Sequence, residues 1–324
     1  MTHYEGRTAG GRSPRAAGRG RAKSHGRDPR VIGLGLCVID HLYVVDDLAD
    51  GGERMRYVAR KVDVGGMVAN ALAQAACLGC RAELVSWVGD DADGRLARRR
   101  MREAGVGTRR LVLSPALATT VALVLIGRRD GERRFLTPHR APLERRVRGF
   151  DPAVVRPGSV LLIDGHFPAQ ARRAARRARE LGVPVVADFS DPRPPYLSLL
   201  PLASHPVLPE AFVRAWAPGD PADALRRLRD ETGASPVVTQ GARGGLYWHE
   251  GRVRRYRSPR VPVRDTTGAG DAFHGAFAAG LAHGLPLPEI VARAARAGAV
   301  ACTALGGSGR LATRREWEGR SAPA

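Results

Sequence analysis

Apolar and polar positions alternate along this chain in two different rhythms. Residues 31–40, Val31-Ile32-Gly33-Leu34-Gly35-Leu36-Cys37-Val38-Ile39-Asp40, form an almost unbroken apolar run, which predicts one buried β-strand with a turn at Asp40. Between 150 and 240, short apolar runs at 160–164, 183–188 and 236–239 alternate with helical patterns at 169–181 and 222–232. Such alternation predicts a parallel sheet with helices on both faces. Near the C-terminal end, Ala272, Phe273, Ala276, Phe277 and Leu281 recur at the i, i+3, i+4 spacing of a helix with one buried face. Two other stretches have short β-type runs without enough apolar residues to form a core. Residues 42–63 contain two such runs, and 119–138 reads as a hairpin around a polar turn. A lone hairpin is marginal in water, so these two segments are expected to pair with each other. A helix is expected over 71–78.

Residues 1–29 are rich in Gly, Arg, Ser and Ala and have no apolar period, which predicts a disordered basic tail ahead of one α/β domain over 30–324. The formal net charge is +20, and Lys23 and Lys61 are the only lysines among the 52 basic residues. Such a chain attracts anions, nucleotides included. Specific nucleic-acid binding is not expected. The arginine-rich helix (Arg172, Arg173, Arg176, Arg177, Arg179) has no aromatic residues between its charges, so it reads as a solvated face. Cys77 and Cys80 have zinc-type spacing but no second pair, and read as small apolar residues in a reducing compartment. No apolar run reaches membrane-spanning length and no signal peptide is visible, so the expected location is the cytoplasm. Gly33-x-Gly35 lacks the third glycine of a dinucleotide fingerprint, since Val38 stands there. A dehydrogenase rests on that weak signal alone, and a nucleic-acid-binding protein rests on charge alone. No lysine follows a glycine, which excludes a P-loop.

The chemistry concentrates in Asp265-Thr266-Thr267-Gly268-Ala269-Gly270-Asp271-Ala272-Phe273. A Gly-Ala-Gly turn opening a helix presents unpaired backbone N–H groups at the positive end of the helix dipole. That is an anion site suited to phosphate, with Asp271 at its rim able to accept a proton. As a plain helix start, the same Asp, Thr and Gly residues would be ordinary caps.

The full stretch resembles the C-terminal signature of the PfkB (ribokinase-like) family of sugar and nucleoside kinases. Gly65-Gly66-Met67-Val68-Ala69-Asn70, continued by Leu78-Gly79 and Val88-Gly89-Asp90-Asp91, resembles the family's first signature. Thr239-Gln240-Gly241-Ala242-Arg243-Gly244 resembles its nucleotide loop. The resemblance spans 31 to about 318. It implies a three-layer α/β/α domain with a mainly parallel central sheet and a small β-sheet lid formed by about 42–63 and 119–138. It implies Asp271 as the base, with the amides of Gly268, Ala269 and Gly270 on the transferred phosphoryl group. Asp40, at the end of the first strand, would hold the sugar with Gly65, Gly66 and Asn70, while Pro138-His139-Arg140 lies near it. Thr239, Gly241 and Gly244 would line ATP. Asp265 and Thr267, with the Gly306-Gly307 loop, would hold a monovalent cation such as potassium. Because neither lid segment has the apolar pattern for a core of its own, a homodimer through the lid is a further expectation. The chain departs from the family where many members have Asn-x-x-Glu: Pro209 and Phe212 occupy those places. Some ketose-acting members share that loss, so fructose or sulfofructose is the favoured acceptor class, with a ribokinase or nucleoside kinase as the alternative. Magnesium is then expected to be held by phosphates and water.

Overall fold

The computed structural model describes residues 28–48, 55–129, 132–138, 147 and 149–320. Most of the expected tail, and His139 and Arg140, lie outside the described residues. In chain order the strands are β1 (Arg30–Leu34), β2 (Val38–Val45), β3 (Tyr57–Gly65), β4 (Arg81–Gly89), β5 (Gly107–Ser114), β6 (Val121–Gly127), β7 (Arg133–Leu136), β8 (Ser159–Ile163), β9 (Val185–Asp188), β10 (His205–Pro209), β11 (Val237–Thr239), β12 (Gly245–His249) and β13 (Arg252–Tyr256). The principal helices are α1 (Met67–Cys77), α2 (Ala92–Glu103), α3 (Pro168–Glu180), α4 (Glu210–Trp216), α5 (Pro221–Thr232), α6 (Ala269–Ala282) and α7 (Leu287–Ala301).

The larger sheet runs β13-β12-β11-β10-β9-β8-β1-β4-β5. Neighbours from β5 to β11 pair in parallel, and β12 and β13 close one edge antiparallel. Its central strands are buried on both faces, which is why they read as continuous apolar runs. Alternate residues serve opposite layers. Val31 and Leu162 pack with α1, α6 and α7, whereas Ile32 and Leu161 pack with α3, α4 and α5. In α3 the same logic operates at helical period: Ala171, Ala174, Ala175 and Ala178 are buried, and the arginines take the outer face. The three-layer α/β expectation therefore holds. The chain leaves β1 toward β4 on one side and returns to β8 on the other, so β1 and β8 flank a topological switch point, where open α/β sheets bind ligands.

A second sheet has the order β3-β2-β6-β7. The two segments expected to pair do so through β2 and β6, in parallel. Its own core is small, with Leu42, Val124 and Ile126 at its centre.

Three of the boundaries that differ from the sequence reading have a visible cause. The run 31–40 is two strands in two sheets: β1 stops at Leu34 and β2 starts at Val38. Asp40 therefore sits inside a strand of the small sheet, not at the end of the first core strand. Both halves are buried, so hydropathy hides the break. The break falls at Gly35, where a Cβ would lie 2.3 Å from the Asp164 carboxylate. The helix expected from 71 begins at Met67, because Gly66, at φ 102°, turns the chain directly from β3 into α1. The strand expected from 183 begins at Val185, after Pro184, which has no N–H for a ladder.

Candidate active site

Two cavities meet at the N-terminus of α6. The first, about 900 Å³, lies between the switch point and the small sheet, and Asp40, Gly66, Asn70, Thr267, Gly268 and Asp271 line it. The second, about 420 Å³, lies beside the β11–β12 loop, where Thr239, Gly241 and Gly244 meet Phe273, Gly298 and Cys302. Ala269 and Gly270 line the second cavity. The Gly268–Asp271 turn is thus the wall between them.

That turn has the local structure its sequence suggests. Gly268 caps α6 at φ 75°, a left-handed conformation that glycine adopts without strain. The Ala269 amide is used in a turn bond to Thr266 O at 3.3 Å. The amides of Gly268, Gly270 and Asp271 have no backbone partner among the described residues and remain available to an anion. Beneath the turn, the fully buried Asp265 carboxylate accepts from Thr267 N (2.8 Å), Thr267 Oγ1 (2.6 Å) and Gly306 N (2.8 Å). Asp265 thereby ties the turn to the Gly306-Gly307 loop. It lines neither cavity.

Asp271 accepts a hydrogen bond from Asn70 Nδ2 at 2.8 Å. Asn70 Oδ1 is buried and has no partner among the described residues, so the amide keeps an acceptor for a ligand. Burial, reinforced by the Asp188 carboxylate, pushes Asp271 up to about 7, against the lowering effect of the Asn70 bond and of His274. Asp40 is nearly buried, and Gly65 makes room for it: a Cβ there would stand 2.1 Å from its carboxylate oxygen. Gly65 is thus a spacer, while Gly66 faces the cavity.

Several residues were not singled out from sequence. Asp164 accepts from Leu36 N (2.8 Å) and His166 N (3.0 Å), bracing the loop after β1. Asp188 ends β9, and burial, reinforced by the Asp164 carboxylate, raises its pKa well above that of an exposed aspartate. His274, one turn into α6, directs Nδ1 to Gly270 O (2.7 Å) and Nε2 to Val207 O (2.9 Å), with Asp188 Oδ2 3.3 Å from Nδ1. Glu210 follows Pro209. Its carboxylate meets Gln240 of the β11–β12 loop at 3.1 Å and also pairs with Arg243. Phe212 is fully buried in the core. Both strand-final aspartates were visible as a pattern, since ligand-side residues in such sheets follow the carboxyl ends of strands.

The model of the pfkB family of carbohydrate kinases matches residues 28–314. The chain belongs to that family. A ribokinase from Haemophilus influenzae is 24% identical over 294 residues, covering 87% of this chain and 95% of its own length. The solved structure of a putative ribokinase from Agrobacterium tumefaciens superposes with a TM-score of 0.83 at 28% identity, covering 90% of this chain and 97% of that one. A putative ribokinase II from E. coli, solved with ATP and Mg2+, shares the fold with a TM-score of 0.74 at 22% identity, covering 90% and 98%. As a pfkB-family member this protein is a carbohydrate kinase, a phosphotransferase with an alcohol acceptor.

Proposed function

We propose that the protein transfers the γ-phosphoryl group of ATP to a hydroxyl of a small sugar held in the larger cavity. The observation that carries this reading is the pair of cavities divided by one helix N-terminus, with a carboxylate on the larger side. ATP would lie in the smaller cavity, along Thr239, Gly241 and Gly244, with its terminal phosphate at the turn. The sugar would be held by Asp40 and Asn70, with Gly66 allowing close approach and Gly65 leaving room for the Asp40 carboxylate. Asp271 would take the hydroxyl proton, and the turn amides would stabilise the charge that develops on the phosphoryl oxygens. Among the described residues no cluster of three or more His, Cys, Asp or Glu side chains could cage a metal. Magnesium would arrive on the nucleotide and keep phosphate and water ligands. For a monovalent cation, the side chains of Asp265 and Thr267 are already hydrogen-bonded, so backbone carbonyls around Thr267 and Gly306 would have to supply most of the shell.

The acceptor class proposed first is a ketose such as fructose or sulfofructose. Ribose or a nucleoside is the second reading, favoured by the full-length likeness to a ribokinase. The small sheet would act as a lid and as the contact of a homodimer, since Tyr57 (58% exposed) and Leu136 (68%) stand out on its outer strands. The test is ADP release from ATP over a sugar and nucleoside panel, run at matched ionic strength in potassium and in sodium, with light scattering for the dimer. Turnover with one or a few sugars, higher in potassium, and a loss of about 10²–10⁴-fold in Asp271→Asn are expected. An Asp271→Asn protein as fast as the wild type would remove Asp271 as the base.

A further inference from the structure

The small sheet carries a guanidinium to the turn that divides the two cavities. Strand β7 pairs with β6, setting Arg133 opposite Ile126 and Phe135 opposite Val124. With the period of two, Arg133, Phe135 and Thr137 share one face, and all three line the larger cavity. Arg133 Nη1 donates to Thr267 Oγ1 at 3.1 Å, across 134 residues of sequence. That hydroxyl gives its own proton to Asp265 Oδ1, so its lone pairs face Arg133. Thr267 is the residue immediately before Gly268.

Arg133 is half-buried, and its one hydrogen-bond partner among the described residues is this neutral hydroxyl; its guanidinium otherwise lies 5.9 Å from the centre of the Phe135 ring. The nearby carboxylate does not need it, because Asp265 is satisfied by three other donors. The charge is also felt beyond the turn, where it opposes the upward shift that burial gives Cys302, a residue of the smaller cavity. A guanidinium withdrawn from water without a counter-ion is unfavourable, and an anion at the turn would relieve that cost. The other arginine lining the larger cavity, Arg193, is already paired with Asp191.

We propose that Arg133 is a further catalytic residue, whose guanidinium contacts the phosphoryl group in transit between the two cavities. This rests on the kinase reading above. Charge on the phosphoryl oxygens grows as the bond to the leaving ADP oxygen breaks and the sugar oxygen attacks. A fork of N–H donors on one side, opposite the amides of Gly268 and Gly270, would stabilise that charge without itself gaining or losing a proton. Asp40 is on β2, in the same small sheet, so the sheet that grips the sugar also delivers the cation.

The experiment compares wild type, Arg133→Lys and Arg133→Ala in steady-state turnover with an accepted sugar. Nucleotide affinity is measured separately, and hydrogen exchange over β6 and β7 serves as the control for folding. Arg133→Ala is expected to lose roughly 10²–10³-fold in kcat, with ADP affinity and exchange close to wild type. Added guanidinium ion should restore part of the rate, and Arg133→Lys should fall between. A variant that changes only the sugar KM, or is not rescued, would overturn the proposal and leave Arg133 as an anchor of the small sheet. Turnover by wild type with no difference in the variants would overturn it while leaving the kinase reading intact. Absence of turnover by wild type on the whole panel would overturn the kinase reading, and this inference with it.

Discussion

Asp271 sits where opposing influences meet, and the balance would fix the pH range in which it acts as the proposed base. Burial and the neighbouring Asp188 raise its pKa to about 7, while Asn70 favours the charged form. A general base must be ionised, so kcat/KM should fall as pH drops through about 7, well above the range of an ordinary aspartate. Asn70→Ala removes a bond to the carboxylate and should move this acidic limb up. Asp188→Asn removes a like charge and should move it down. The pH–rate profiles of the three proteins check both signs; a wild-type limb near 4 would contradict the burial argument. The same shift bears on stability. The folded pKa is above the unfolded one, so the folded state binds the extra proton between about 3.8 and about 7, and stability declines as pH rises through that window. Asp271→Asn should therefore melt no lower than wild type at pH 8, even as turnover collapses.

At the level of elements, the two glycines of the α6 turn do different work. A Cβ on Gly268 would lie 2.2 Å from Gly307 O, in a backbone at φ 75°. Gly268→Ala should cost about 1–3 kcal/mol in chemical denaturation. A Cβ on Gly270 would meet nothing within 4 Å. Gly270→Ala should be at least as stable as wild type, since Ala is the better helix former by up to about 1 kcal/mol. Its turnover should still drop, because the methyl group stands on the wall where the phosphoryl group would pass. If Gly270→Ala keeps full activity, close backbone approach there is unnecessary. The glycines and Asp271 were legible in sequence because a helix start is a local event. The alternation from 150 to 240 was legible for the same reason. The break between β1 and β2 was not, because residues on either side are equally apolar and the cause is a carboxylate 129 positions away from Gly35, at Asp164. His274 and Arg133 were also hidden. Their importance depends on which strand ends and helix turns the sheet order brings together, and no spacing in the chain records it.

The whole molecule joins two bodies of unequal strength. The larger sheet has apolar cores on both faces. The smaller has Leu42, Val124 and Ile126 at its centre and leaves Tyr57, Phe135 and Leu136 exposed. Local stability follows buried apolar contact, so the small sheet should open more easily than the large one. The ligands then divide the molecule between them. A sugar in the larger cavity would touch both bodies, at Asp40 on β2 and at Asn70 on α1, whereas the smaller cavity is built from the large body alone. A ligand that bridges two bodies stabilises their closed arrangement only by its differential affinity for it, and the sugar would be the ligand with that leverage. Closure would also exclude water that competes as phosphoryl acceptor. Sugar alone is therefore expected to slow amide exchange across β2, β3, β6 and β7, while slowing near Gly241 and Gly268 should require nucleotide. Hydrogen-exchange mass spectrometry with sugar, with ATP analogue and with both resolves the four segments. Protection of the small sheet by nucleotide alone, with none from any accepted sugar, would reverse the assignment of the two cavities.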